Sequence, residues 1–254
     1  MKIYCVIMVI LCAVGLVESL PSIPQDAAYH VFADNNTWWG ITNTGNVISN
    51  LAFIIAGMAS LLQLKHLPKT AVVRMWKFFF GTVVLVGVGS AYYHWGPSND
   101  TLFWDRLPMT LCFTALTACV CAERISEKVG RVLFVPLVVS GMLSVVYWWV
   151  TEKYGLGDLR PYILVQYLPM LLIPILVLIF PRSDVQNRPY WLLFASYLIA
   201  KGFELADSTV FNLTFHIISG HTLKHLVAGA GILFFRPDIP AEADEENFSR
   251  SLIV

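Results

Sequence analysis

Five side chains able to do metal or acid–base chemistry recur at helical spacing in a chain that is otherwise mostly hydrocarbon. They are Ser90 and His94, then Asp105, then His221 and His225. Residues i and i+4 share one face of a helix. Two imidazoles so placed offer two nitrogens to one ion at about 2.0 to 2.1 Å, and a third histidine from a facing helix completes a three-ligand zinc site with one position open. Zinc lowers the pKa of water in such a position to roughly 7, which is the chemistry of a metallohydrolase. Each piece also has a plainer reading. A helical histidine pair can be coincidental or simply hydrogen-bonded, a serine in a membrane helix bonds a backbone carbonyl or eases close packing, and Asp105 can pair with its neighbour Arg106.

The elements that must position these residues follow from composition. Of 254 residues, 57% are hydrophobic and only 13% charged, against roughly a quarter charged in soluble domains. The chain therefore reads as an all-α integral membrane protein. Its net charge of zero and the lack of a long basic run exclude a nucleic-acid partner. Five cysteines show no paired-ligand spacing and imply no disulfide.

Residues 1–19 have one lysine, an apolar run and a polar exit, the pattern of a signal peptide, or of a signal anchor if uncleaved. Residues 20–45 are then a lumenal or extracellular segment. Seven apolar windows of bilayer-spanning length follow, near residues 46–64, 77–95, 101–121, 131–150, 161–180, 189–207 and 218–236. The expected fold is a seven-transmembrane helical bundle over residues 46–236. Residues 237–254 form a polar, acidic tail expected to be disordered and cytosolic.

Basic residues orient the bundle. Lys65, Lys69, Arg74 and Lys77 follow the first span, Arg124, Lys128 and Arg131 the third, and Arg182 and Arg188 the fifth, whereas residues 20–45 hold no lysine or arginine at all. An outside amino terminus and a cytosolic carboxyl terminus satisfy this bias. Ser90 and His94 then lie near the outer end of the second span, Asp105 near the outer start of the third, and His221 and His225 at the outer start of the seventh. Ionisable groups in hydrocarbon are costly unless paired or bound, so their convergence at one depth marks a functional site.

The pattern Ser90-x3-His94, Asp105 within "FWDRLPM" and His221-x3-His225 within "GHTLKHLVAGAG", together with "GNVISNLAFIIAG" in the first span, resembles the alkaline ceramidase family. That family belongs to a superfamily of seven-span zinc hydrolases that includes the adiponectin and progestin receptors. The resemblance covers residues 38–236. It implies zinc held by His94, His221 and His225, a metal-activated water oriented or deprotonated by Asp105, and Ser90 polarising the amide carbonyl or holding the oxyanion. The implied reaction is hydrolysis of a ceramide-like membrane lipid to a sphingoid base and a fatty acid, in the endoplasmic reticulum, Golgi or plasma membrane. Calcium-dependent members carry an acidic cluster before the first span. Here "ADNNTWWGITNTGNVISN" offers Asp34 alone, so calcium remains a possible cofactor whose acidic site is missing.

The alternatives are a receptor-like member of the same superfamily, a hydrolase of another lipid amide or ester, and a haem-binding electron carrier. Among the remaining polar residues, Lys201, Glu204 and Asp207 are read either as an ion-pair network, with Arg106 or Lys224 nearby, or as orienting partners for a ligand imidazole. Arg106 is expected to meet a carboxylate or a lipid headgroup. His30, His66 and His216 read as ordinary loop or interfacial residues.

Overall fold

The structure, a computed structural model, describes residues 1–183, 185–237 and 239. The described residues hold helices and turns, and no strand beyond one isolated bridge between Trp38 and Ile41. The helices are α1 (Lys2–Glu18), α2 (Thr44–Ser49), α3 (Leu51–Gln63), α4 (Ala71–Trp95), α5 (Asn99–Arg124), α6 (Glu127–Lys153), α7 (Arg160–Ile179), α8 (Arg188–Leu205), α9 (Asp207–Leu213) and α10 (Gly220–Phe234). The expected tail, 237–254, lies outside the described residues except for 237 and 239.

Several helix starts are written locally. The Thr70 hydroxyl accepts the Val73 amide at the head of α4, Ser126 accepts that of Val129 at α6, and Ser219 accepts that of Thr222 at α10. At α5, Ser98 and Thr101 form a reciprocal capping box. Such caps satisfy amide groups that have no partner inside the helix.

Among the described residues, four helical segments are long and apolar enough to cross a membrane: Thr44–His66, Ala71–Trp95, Glu127–Lys153 and Arg160–Ile179. The other three expected windows are helical as well. However, α5 carries Asp105, Arg106, Glu123 and Arg124, α8 carries Lys201 and Glu204, and α10 has only 15 residues. These charges face inward, where Asp105, Arg106, Glu123 and Arg124 are all buried. Outward, α6 leaves Val132, Val135 and Leu143 more than half exposed, an apolar surface suited to lipid.

Two clusters fill the bundle. Trp76, Phe79 and Phe80 of α4 pack with Phe235 and with α5 and α7 side chains in one half. Tyr93, Leu102, Val145, Trp148 and Tyr162 form the other, and Ile23 and Phe32 of the segment before α2 pack onto it. α4 packs on α3 and α5, and α10 on α3 and α8, so α4 and α10 face one another across α3. The helix α1 buries none of its own residues and lies along α7.

Candidate metal centre

His94 ends the long helix α4, and His221 and His225 occupy the first two turns of α10. All three imidazoles are buried, and one nitrogen from each lies within 4.8 Å of the others. The Nε2 atoms of His94 and His221 are 3.2 Å apart. Tetrahedral nitrogen ligands on an ion at about 2.05 Å stand about 3.3 Å apart, so this pair already has the separation of two zinc ligands.

His225 is set by a side chain outside the sequence pattern. The Ser49 hydroxyl lies 2.9 Å from His225 Nδ1 and 3.1 Å from the Asn46 carbonyl. A hydroxyl has one hydrogen, which the carbonyl takes, so the hydroxyl accepts from Nδ1–H. That tautomer leaves the Nε2 lone pair free for a metal. His94 Nδ1 is buried with no hydrogen-bond partner. Three buried imidazoles, converging and unmatched by a bonded carboxylate, fit a divalent metal ion in donor type and spacing.

The start of α10 is fixed from outside the helix. Asp207 accepts the His221 amide at 2.7 Å and the Ala33 amide at 3.0 Å. Asp207 thus holds the backbone of His221 rather than its imidazole. A Cβ on Gly220 would come within 2.2 Å of the Phe203 carbonyl oxygen, so the close approach of α10 to α8 requires glycine there. Asn46 accepts from both the Ser219 and Thr222 hydroxyls at 3.0 and 2.9 Å, tying α2 to the same turn.

Ser90 stands one turn before His94 and is buried, as is Asp105 on α5. The two are side-chain neighbours across the α4–α5 contact. That contact depends on Gly89, where a Cβ would lie 2.1 Å from the Trp104 carbonyl oxygen. Asp105 Oδ1 has no hydrogen-bond partner.

Of the partners expected for Arg106, no carboxylate pairs with it among the described residues. It forms no ion pair with Asp105, because consecutive helical residues point about 100° apart. Instead its guanidinium carbon sits 4.3 Å from the Trp148 ring centre and 4.5 Å from that of Tyr162, with Tyr29 at 5.4 Å. Aromatic faces attract a cation in this way.

Phe32 covers the centre from the amino-terminal side, its ring centre 4.5 Å from that of His94 and 5.0 Å from that of His221. His30 of the same segment is half-buried and lies 3.0 Å from both the Tyr93 hydroxyl and Asn99 Oδ1, so it anchors that segment to α4 and α5. Asp34 is also buried, and its two oxygens accept the Asn36 and Asn46 amides. Nothing in the spacing of residues 20–45 announces these contacts. The only local signal is the concentration of amide side chains and glycines just before the first span.

Lys201, Glu204 and Lys224 form the expected ion-pair network, with Lys224 rather than Arg106 as its third member. Both lysines bond Glu204, Lys224 at 2.9 Å. They border a cavity of about 180 Å³ whose remaining walls are mainly apolar, including Phe53, Phe79, Met109 and Ile173. α7 and α8, though consecutive, touch each other little beside this cavity.

Neither a curated protein nor a solved structure matches the chain significantly. Residues 37–228, well over half of the chain and containing all five residues of the original pattern, match the ceramidase family, and the chain belongs to that family.

Proposed function

We propose that the protein is a zinc-dependent intramembrane hydrolase that cleaves the amide bond of ceramide-type lipids to a sphingoid base and a fatty acid. The observation that carries this is the convergence of three buried imidazoles, two of them 3.2 Å apart at Nε2. Family membership supports the hydrolase class, and the apolar cavity beside the centre supports a lipid substrate.

His94, His221 and His225 would hold the ion. When bound, zinc supplies a Lewis acid for the amide carbonyl and lowers the pKa of water. Asp105, with an unpartnered carboxylate oxygen, orients the attacking water and takes its proton. Ser90, one turn from His94, donates to the oxygen on which negative charge develops; such donors act strongly where water is excluded. Phe32 closes the lumenal side. The substrate enters sideways from the bilayer where α7 and α8 are poorly packed, with one chain in the cavity.

The same proposal has seven spans, with α2 and α3 together forming the first and α4, α5, α6, α7, α8 and α10 the others. Residues 1–19 act as a signal sequence, the amino terminus is lumenal or extracellular, and the carboxyl terminus is cytosolic. The decisive experiment is release of free sphingoid base from ceramide, dihydroceramide and phytoceramide, read by mass spectrometry for wild type and His221→Ala. Release by wild type alone is the expected result. A zinc-loaded wild type that releases nothing overturns it.

A further inference from the structure

The cavity is not electrically neutral. Two ammonium groups, Lys201 on α8 and Lys224 on α10, share the single carboxylate of Glu204, each bonding one of its oxygens. Their side chains are 31%, 20% and 20% exposed for Lys201, Lys224 and Glu204, so the cluster sits largely out of solvent. An ammonium has three donors. Glu204 takes one from each lysine, Lys201 also lies 5.9 Å from the Tyr167 ring centre, and most of the cavity lining is apolar. The Tyr197 hydroxyl on the same wall is buried and has no hydrogen-bond partner. Within the cavity lining two ammonium groups face one carboxylate, an imbalance beside hydrocarbon that an anion would relieve.

The missing partner has two required features. It carries one negative charge with oxygen acceptors, to match the excess charge and the spare donors. It also carries an aliphatic tail, because the cavity continues from the lysines to Phe53, Phe79 and Met109. We infer that Lys201 and Lys224 form a binding site for the carboxylate of a fatty acid, whose chain fills the apolar cavity.

Lys224 lies between His221 and His225 in α10, one residue before His225, and also lines the cavity. The site therefore borders the reaction centre. On the amidase proposal above, the C–N bond breaks, a C–O bond forms to water, both water protons end on the departing amine, and the acyl chain is left as a carboxylate. The lysine pair receives that carboxylate while the amine departs, so the acid leaves last and inhibits further turnover. The same site accepts free fatty acid from the bilayer.

Binding is tested on the full chain in nanodiscs of zwitterionic lipid, stripped of metal by chelation, near pH 8. Palmitate and hexadecanol are compared as probes, since they share a chain and differ in charge. The expected result is a preference for palmitate of about tenfold or more, abolished in the Lys201→Met/Lys224→Met double variant while hexadecanol affinity persists. Persisting hexadecanol binding shows that the cavity is intact. Equal affinities in wild type overturn the inference, as does a preference that survives in the double variant. Should the double variant fail to fold, Glu204→Gln decides instead: the palmitate preference should rise, and an unchanged or smaller one refutes the site. Neither metal nor turnover enters these measurements, so they stand whether or not the protein hydrolyses ceramide. In metal-loaded protein, inhibition during turnover without added acid marks the product as the source, and inhibition only by added palmitate marks the bilayer pool.

Discussion

The Ser49 hydroxyl receives the Nδ1 proton of His225 at 2.9 Å while giving its own hydrogen to the Asn46 carbonyl. One short helix therefore dictates which nitrogen of a histidine on a facing helix keeps a free lone pair. Partners of this kind are typically worth 10- to 100-fold in metal affinity. Ser49→Ala should weaken zinc binding by about that factor, measured by competition with a chromophoric chelator, with helical content unchanged. Undiminished affinity would show that packing alone orients the ring.

His221→Ala should lose both metal and hydrolysis. It removes one of three nitrogens and leaves two ligands, one on each of two helices, which hold an ion poorly. Elemental analysis of the purified variant beside a turnover assay reads both effects. Full activity in a metal-replete variant would remove His221 from the ligand set.

Asp105→Asn should separate the two properties. The amide keeps the shape of the carboxylate but cannot take a proton, so metal should stay near the wild-type level while turnover falls by about 10² to 10⁴, the usual range for a lost general base. An equal loss of metal and activity would identify Asp105 as structural.

Gly89→Ala should act without touching a polar group. The added methyl lands 2.1 Å from the Trp104 carbonyl oxygen, and backbone cannot swing aside as a side chain can. Overpacking of this sort costs about 1 to 3 kcal/mol. A lower thermal midpoint is expected, with lower activity as Ser90 and Asp105 part. Wild-type values of both would mean that α4 and α5 can separate freely.

Outside the spans, Asp158 between α6 and α7 is gripped by Arg160, whose Nη2 is 2.8 Å away. The Arg160 hydrogen bond holds the Asp158 carboxyl below its ordinary value despite partial burial. A depressed folded-state pKa adds stability above the unfolded pKa and loses it as pH falls through the folded pKa. Thermal midpoints should therefore drop as pH falls through and below the ordinary carboxylate range, and less steeply in Asp158→Asn. Parallel acid limbs for the two proteins would dismiss the pair as a contributor.

What the sequence disclosed, and what it hid, divides along a physical line. His221 and His225 were legible because a helix repeats every 3.6 residues, so spacing alone places them on one face. His94 could be joined to them because apolar windows and basic loops assign a depth to each residue. The contacts of Ser49, Phe32 and Asp34 were not legible: that of Ser49 depends on which face the first span turns to α10, and those of Phe32 and Asp34 arise only when the segment before the first span folds over the bundle. Asp207 was singled out, but spacing could not tell a carboxylate that meets a backbone amide from one that meets an imidazole. Arg106 was expected to meet a carboxylate or a lipid headgroup, and the aromatic faces around it leave no periodic trace.

The brevity of α10 has a further consequence. Its 15 residues rise about 22 Å, less than the roughly 30 Å of a typical hydrocarbon layer. A bilayer meets so short an element by thinning around it. With α10 as the seventh span proposed above and His221 and His225 at its outward end, such thinning would bring the aqueous boundary toward those two residues. A hydrolase embedded in oil consumes water as its second substrate, and on that proposal the short helix would bring that substrate's reservoir down to the reaction.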